Sequence, residues 1–130
     1  LCVEIVDSRI ENWQIAIQDT IADNASCGVF VVGETELDPR ALDLPNIRVD
    51  VTKNGAPLSS GLGSAVQGNP LTAVAWLANT LGAYGIALEA GEVILSGSLV
   101  PLEPVQAGDE MYLIMSGEGF DDCSVGCRFV

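Results

Sequence analysis

The residue with the clearest chemical potential is a glutamate inside an apolar stretch. Glu4 stands between Val3 and Ile5 in the opening segment VEIVDSRIENWQ. A carboxylate is costly to bury unless a cation, a proton or hydrogen-bond donors compensate its charge. Two interpretations of Glu4 are therefore open: an ordinary acid at the edge of a strand, or an oxygen ligand for a hard divalent cation. Asp7 and Arg9 follow closely, and we expect them to form a structural pair that supports this strand.

The sequence contains no histidine, which restricts the catalytic groups that it offers. A Ser-His-Asp or Cys-His mechanism cannot be assembled from these residues. General acid–base catalysis near neutral pH would fall to carboxylates, to metal-bound water or to Lys53. Because Lys53 precedes the turn signal Asn54-Gly55, we expect it to be a solvated turn residue.

The four cysteines indicate free thiols rather than a metal site. Two of them form the motif CSVGC, and the others stand alone; they are Cys2, Cys27, Cys123 and Cys127. A structural zinc site needs two such pairs or accompanying histidines. The low cysteine content and the lack of a signal peptide favour a reduced, cytoplasmic protein.

Length and charge place the chain among globular proteins with a strongly acidic surface. It has 130 residues, 48% of them hydrophobic, and a net charge of −13. Such a charge argues against nucleic acid or an anionic membrane as a partner. We expect one catalytic-type domain over residues 1–130. Because Leu1 leads directly into an apolar strand, we also expect that an upstream, N-terminal part is absent.

The hydrophobic pattern predicts about seven strands and two helices. NPLTAVAWLANTLGAYG predicts a helix capped by Asn69, with Trp76 and Leu77 in the core. A stripe from Ile10 to Ile21 predicts a second, partly irregular helix. The strands are predicted from the segments at 1–6, CGVFVVG (buried), the hairpin IRVDVTKNGAPLSSGLGSAVQG, EVILSGSLVPLEPV (buried), GDEMYLIM and CSVGCRFV.

These elements favour an α+β fold in which hairpins dominate. The expected architecture is a mostly antiparallel, curled sheet or β-barrel-like roll with one or two packed helices. The segment ETELDPRALDLPN is expected to be a surface loop. GLGSAVQG is not expected to bind phosphate, because no Lys-Ser/Thr follows it and it ends a hairpin.

Four segments in order resemble the 2-keto-4-pentenoate hydratase family of the fumarylacetoacetase superfamily, in its C-terminal portion. They are VEIVDSRIENWQ, DTIADNAS, AVAWLANTLGAYGIALEAGEVILSGSLVPLEPVQAGD and the closing RFV. The resemblance implies a fumarylacetoacetase C-terminal-like fold. It also implies a hydro-lyase that converts 2-hydroxypenta-2,4-dienoate, or a longer homologue, to a 4-hydroxy-2-oxo acid in ring meta-cleavage pathways.

The same resemblance implies a site that contains Mg²⁺ or Mn²⁺ held by three carboxylates. Glu4 would be the third metal ligand, after a Glu-x-Glu pair located upstream in the family. The substrate-binding candidates that it implies are Asn24, Ser26, Ser96, Gly97 and Ser98. No catalytic acid or base is assigned, because the family's acid–base residues also lie upstream.

The sequence departs from the family pattern at several points. Asn69 stands where the family has a histidine, and the segment GFDDCSVGC is unusually acidic and cysteine-rich. The only Glu-x-Glu is Glu34-Thr35-Glu36, which follows Glu4 in an expected surface loop, so the ligand role is not assigned to it.

Three alternatives to the hydratase remain open at this stage. The first is the related 4-oxalocrotonate-type decarboxylase, which acts on a similar 2-oxo acid. The second is an inactive half-domain that serves in oligomer assembly, because the family forms large homo-oligomers and can pair with that decarboxylase. The third is a small acidic binding module unrelated to the family.

Overall fold

The computed structural model describes residues 1–130 and contains two antiparallel sheets. A two-stranded ribbon pairs β1 with β2, and a four-stranded sheet has the order β4-β3-β5-β6. The elements are β1 (Cys2–Val6), α1 (Ile17–Ala22), β2 (Cys27–Val32), β3 (Arg48–Lys53), β4 (Ala56–Leu62), α2 (Pro70–Gly82), β5 (Glu110–Ser116) and β6 (Cys123–Arg128). Five short 3₁₀ turns lie in the connections. The predicted α+β, mostly antiparallel class is confirmed.

The hairpin β3–β4 forms where the turn signal predicts it. Asn54 and Gly55 have φ of 52° and 78°, so both central turn residues adopt the left-handed conformation that a two-residue hairpin requires. Lys53 pairs with Ala56 across this turn. On its other side β3 pairs with β5, so β3 is an interior strand with hydrogen bonds along both edges.

The core lies on one face of the four-stranded sheet. Alternate residues of β3, β5 and β6 point to it, as the period-two pattern of these strands predicts. Val3 of β1 joins the same cluster and so attaches the ribbon to the sheet. The buried cluster consists of Val3, Val49, Val51, Met111, Leu113 and Val125. Only 12 of the 130 residues are buried, so this core is small for the chain.

Strand β2 differs from its prediction as a buried strand. It pairs with β1, but all its residues after Cys27 are exposed, with Val29 61% and Val32 58% accessible. Its apolar composition is therefore a correct signal for strand conformation and a wrong one for burial. The physical reason is that β2 contacts mainly β1 and part of β6, which leaves most of its side chains uncovered.

Helix α2 has the predicted cap but not the predicted packing. The Asn69 side chain accepts a hydrogen bond from the N–H of Leu71 at 2.9 Å, and Pro70 is the first helical residue. No residue of α2 is buried, and Trp76, predicted in the core, is 60% exposed. No helix is long and apolar enough to span a membrane.

The stripe from Ile10 to Ile21 gives only a short helix. Asn12 and Trp13 have φ of 56° and 54°, which interrupts an α-helix, and α1 begins at Ile17. The segment EVILSGSLVPLEPV also differs from prediction, because it forms no strand. Its residues find no ladder partner within the chain, so the β-forming composition alone does not produce a strand. Six strands are present instead of about seven.

An ion pair connects the β3–β4 turn to the loop before β5. The Lys53 ammonium lies 2.8 Å from the Asp109 carboxylate and donates to the carbonyl of Pro104, also at 2.8 Å. Asp109 also accepts from the Asn54 amide and the Gln106 N–H, both at 2.9 Å. These donors lower the pKa of Asp109 to about 2. Lys53 is therefore a structural ion-pair residue, and its prediction as a solvated turn residue is wrong.

The stability of the chain should depend on pH through Asp109. Its folded pKa lies below the ordinary value of 3.8, so its stabilising contribution is present above about pH 4 and is lost as the pH falls towards 2. Asp109→Asn should lower the urea midpoint most above pH 4 and least near pH 2. Asp50→Asn is the control, because the Asp50–Arg48 pair is half-exposed and should contribute little. A pH-independent loss in Asp109→Asn would contradict this account.

Glycine is required where β4 passes beneath the segment after EVILSGS. A Cβ at Gly61 would overlap the carbonyl oxygen of Leu99, so Gly61→Ala should destabilise the chain by about 1–3 kcal/mol. Gly82→Ala is the matched control, because nothing surrounds that position in α2 and alanine favours helix by about 0.5–1 kcal/mol. Urea unfolding of both variants measures the difference. Equal effects would refute the close approach.

Candidate functional site

The β1–β2 ribbon determines the direction in which Glu4 points. Val3 enters the core, so the alternation of the strand directs Glu4 to the opposite face. Glu4 is half-buried and pairs directly with Phe30 of β2. Side chains of directly paired residues share a face, so the Phe30 ring, which is 42% exposed, is the apolar neighbour of this carboxylate.

The Cys27 thiol is the polar neighbour of Glu4. The ribbon has a bulge between Ile5 and Val6 that pairs Val6 with Cys27 and places the cysteine on the Glu4 face. Burial raises the pKa of the Cys27 thiol, and its hydrogen bond and charge interaction with Glu4 raise it further. The Cys27 thiol therefore stays protonated beside the carboxylate at neutral pH.

Arg9 holds the loop that leads into β2. Its guanidinium lies 3.1 Å from the Asp23 carboxylate and donates to the carbonyl of Cys27 at 2.9 Å. Desolvation opposes ionisation of Asp23, but the hydrogen bonds from Arg9 outweigh it and lower the pKa of this carboxyl group. The predicted pair of Asp7 with Arg9 is wrong, because Asp23, which is distant in sequence, is the partner of Arg9.

Ser26 occupies a buried position at the start of β2. It is 2% exposed, and its hydroxyl forms no well-aligned hydrogen bond, although it is near enough to Asp23 to help lower the pKa of that carboxyl group. A buried hydroxyl without a partner is uncommon and costs free energy. Asn24, the neighbouring candidate, is exposed. Both residues have left-handed backbone conformations, with φ of 49° at Asn24 and 58° at Ser26.

The remaining candidates lie in the turn that precedes Leu99 and Val100, two residues that pack against the core cluster. Gly97 has φ of 120° and approaches Val66, which follows β4. The Ser98 hydroxyl is used locally, since it donates to the carbonyl of Val100 at 2.6 Å. Ser96 is half-buried. No hydrogen bond or ion pair connects the 96–98 turn to Glu4, Asn24 or Ser26. The structure thus places Glu4 on the strand that pairs with β2. It shows no polar contact between the 96–98 turn and Glu4, Asn24 or Ser26.

The described residues match a divalent cation in donor type but not in ligand number. A carboxylate on a half-buried, largely apolar face is a suitable oxygen donor for a hard cation, which takes six or more oxygen ligands. No group of three or more acidic, cysteine or histidine side chains is arranged to hold a metal ion. Glu34 and Glu36 lie exposed in their loop, as expected. The described residues therefore do not form a complete three-carboxylate site around Glu4.

An open depression of about 460 Å³ lies on the other side of the ribbon. It does not include Glu4 or Ser26; its lining residues are Ile5, Asp7, Ser8, Arg9, Gly28 and Val29. Since neither principal candidate borders it, this depression does not define the candidate site.

Two contributors to the site were missed in the sequence. The sequence predicts only a free thiol at Cys27 and gives no role to Asp23. Cys27 directly follows Ser26, so its position next to a candidate is a usable signal. No local pattern indicates the pairing of Arg9 with Asp23, because it depends on how the chain returns between β1 and β2.

The chain belongs to the fumarylacetoacetate hydrolase family. The family model for the fumarylacetoacetate (FAA) hydrolase C-terminal region matches residues 3–124. Among curated proteins, the chain is 62% identical to the 2-hydroxyhexa-2,4-dienoate hydratase of Comamonas testosteroni, over 95% of this chain and 46% of that protein. It is 48% identical to the 2-keto-4-pentenoate hydratase of Paraburkholderia xenovorans (strain LB400), over 90% of this chain and 44% of the relative. The predicted resemblance is confirmed.

Solved structures support the same relationship. The fold superposes with a TM-score of 0.90 on the 4-oxalocrotonate decarboxylase from Pseudomonas putida G7 complexed with magnesium and adipate. The two share 36% identity, over 99% of this chain and 48% of that one. A second structure of that decarboxylase, complexed with calcium and acetate, superposes with a TM-score of 0.86. The chain thus spans about half the length of the relatives that it matches.

The contact between Glu4 and Cys27 can be tested by thiol reactivity. Glu4→Gln should lower the pKa of Cys27 and so accelerate its alkylation at pH 8, because the thiolate is the nucleophile. Cys127 is the internal control, since burial alone raises its pKa. Peptide mass spectrometry after timed iodoacetamide labelling gives both rates. An unchanged Cys27 rate, or an equal increase at Cys127, would contradict the contact.

Proposed function

We propose that this chain forms part of an enzyme that hydrates 2-hydroxypenta-2,4-dienoate or a longer homologue. The product would be the corresponding 4-hydroxy-2-oxo acid, formed during meta-cleavage degradation of aromatic compounds. The observation that carries the proposal is the 62% identity to a dienoate hydratase across 95% of this chain. Glu4 and Ser26 lie within that family match.

The reaction requires little beyond proton transfer and water addition. The dienol gains a proton at C5 and becomes a conjugated 2-oxo acid, and water then adds across C3 and C4. On the proposed face, the half-buried Glu4 carboxylate and the Phe30 ring would border the polar and apolar parts of such a substrate. The unpaired Ser26 hydroxyl would donate to the substrate carboxylate, which would relieve the cost of its burial.

A divalent cation, Mg²⁺ or Mn²⁺, is proposed as the cofactor of the whole enzyme. Support comes from the carboxylate of Glu4 on a largely apolar face and from the magnesium and calcium complexes of the structurally similar decarboxylase. Since the described residues contain no group of three potential ligands, further ligands would come from residues outside this set. Asn24 and the turn Ser96-Gly97-Ser98 are also proposed to bind the substrate.

A decarboxylase is the second candidate function. The observation behind it is the superposition on a 4-oxalocrotonate decarboxylase, with a TM-score of 0.90. Both reactions use a 2-oxo acid or its enol, so the fold does not separate them. The greater identity to hydratases, 62% against 36%, favours hydration. A homo-oligomer, or a complex with such a decarboxylase, fits both candidates and the alternative of an assembly role.

The proposal can be tested in a chimera that joins this chain to the remaining part of the Comamonas testosteroni relative. With Mg²⁺ or Mn²⁺, the chimera should convert 2-hydroxypenta-2,4-dienoate to 4-hydroxy-2-oxopentanoate, followed by loss of dienol absorbance and by product mass. Glu4→Gln should lower kcat/KM by at least about 100-fold, because it removes an anionic oxygen ligand.

Glu34→Gln is the matched control, since Glu34 lies in an exposed loop and its loss should leave turnover unchanged. Release of CO₂ from 4-oxalocrotonate without hydration would favour the decarboxylase. A folded chimera with neither activity, or equal rates in the two variants, would refute the assignment.

A further inference from the structure

Three consecutive residues before β2 have a left-handed backbone conformation. They are Asn24, Ala25 and Ser26, here called the 24–26 turn, with φ of 49°, 54° and 58°. Asparagine tolerates this conformation, but alanine and serine adopt it at a cost, because the Cβ approaches the backbone. The turn contains no glycine that would avoid this cost. Backbone strain of this kind persists only where the surrounding structure holds it, and it is concentrated at functional sites.

Arg9 holds the 24–26 turn at both ends. Its guanidinium donates to the carbonyl of Asp23 at 3.2 Å and to the carbonyl of Cys27 at 2.9 Å. These two residues immediately precede and follow the turn. The Asp7 N–H adds a third attachment, since it donates to the carbonyl of Ser26 at 2.8 Å. The segment that follows β1 therefore fixes the turn, although it lies well before it in the sequence.

The turn presents a serine whose hydroxyl is not committed to an acceptor. Ser26 is 2% exposed and its hydroxyl has no aligned partner, although the Asp23 carboxylate lies beside it. A hydroxyl has one proton to donate, so donation to Asp23 would leave none for a ligand. Arg9 competes for that carboxylate, because its guanidinium lies 3.1 Å from Oδ1 and its backbone N–H donates to Oδ2 at 3.3 Å. With both Asp23 oxygens bound to Arg9, the Ser26 hydroxyl stays free.

The same ion pair controls the charge beside the hydroxyl. A substrate of the proposed class is an anion, and an uncompensated carboxylate next to Ser26 would repel it. The Asp23 side chain is only 9% exposed, so solvent and salt screen its charge weakly. The Arg9 guanidinium supplies the compensating positive charge at 3.1 Å. Arg9 therefore favours an anion at Ser26 in two ways, by geometry and by charge.

We propose that Arg9 and Asp23 are positioning residues, which hold the 24–26 turn so that the Ser26 hydroxyl can donate to the substrate carboxylate. This inference rests on the proposed function, in which Ser26 binds that carboxylate. Neither side chain has to touch the substrate, because Arg9 acts on Ser26 through Asp23 and through the carbonyl of Cys27. The role explains the strain and the free hydroxyl together, since a purely structural turn would be more stable with glycine in it.

A double-variant cycle tests this role in the chimera with the remaining part of the Comamonas testosteroni relative. Ser26→Ala should raise KM for 2-hydroxypenta-2,4-dienoate at least about fivefold and change kcat less than about threefold, because a carboxylate contact acts equally in ground and transition states. Arg9→Ala should raise KM to a similar extent. In the Ser26→Ala background, Arg9→Ala should raise KM less than about twofold further, because the contact that it supports is already lost.

Arg40→Ala is the matched control, since Arg40 forms an exposed pair with Asp38 in the loop before β3 and should leave KM unchanged. Circular dichroism checks the folding of each variant. Arg9→Lys replaces Arg9→Ala if the latter does not fold, because lysine keeps a cation at Asp23 but loses the second donor to Cys27. Its rise in KM, at least about twofold, should also disappear in the Ser26→Ala background. Independent effects of the two substitutions, or a loss of kcat with KM unchanged, would overturn the proposal.

Binding of 2-oxopentanoate separates this proposal from the proposed function, because this saturated 2-oxo acid cannot be hydrated. Calorimetry with the Mg²⁺-loaded chimera should show a Kd at least about fivefold higher in either single variant, again without additivity. That result in a chimera that does not hydrate the dienoate would refute the hydratase and still support the positioning role. Hydration combined with additive effects would overturn the positioning role alone. A folded chimera that neither hydrates nor binds would overturn both.

Discussion

The burial of Val49 and Val51 on β3 is the constraint on which the other elements depend. β3 pairs on both edges, and the ion pair of Lys53 with Asp109 fixes its end against the beginning of β5. This register places the alternate residues of β5 and β6 in the same core, and Val3 of β1 packs against them. Because Val3 points inward, Glu4 must point outward. The orientation of Glu4 is thus a consequence of the packing of its neighbour Val3 against β3, β5 and β6.

The environment of Glu4 explains how a carboxylate is tolerated inside an apolar strand. The face is only half-buried, so the carboxylate keeps contact with water and a cation is not needed for the strand to form. Structural tolerance and a ligand role are therefore compatible rather than exclusive. Ser26 shows the opposite case, because its buried hydroxyl has no well-aligned partner. Of the two, Ser26 carries the larger unmet requirement for a ligand or a neighbouring chain.

Local signals predicted local structure well in this chain. The Asn54-Gly55 turn, the Asn69-Pro70 cap and the alternation in β3, β5 and β6 depend on neighbouring residues, and all are present. The wrong predictions about burial and strand pairing share one cause. Apolar composition predicts burial in β2 and at Trp76, and strand pairing in EVILSGS, but burial and pairing also require a partner surface elsewhere. The ion pair of Arg9 with Asp23 likewise depends on the path of the connection between β1 and β2, which no local sequence pattern predicts. For the site, the sequence predicted the candidate residues but not their hydrogen bonds, such as the local one from Ser98 to Val100.

The ribbon of β1 and β2 carries both Glu4, which lacks further metal ligands, and the exposed apolar residues of β2. Glu4 lies on β1 and faces outward beside Phe30, and β2 exposes its apolar residues next to it. A single polypeptide that covers β2 would therefore also reach the face of Glu4. Burying that face would raise the cost of an uncompensated carboxylate, so the covering segment must bring a cation, a donor or a proton with it. A segment that buries the Glu4 face must therefore also compensate the charge of this carboxylate. A segment that supplied only apolar contacts would leave the buried carboxylate without a partner.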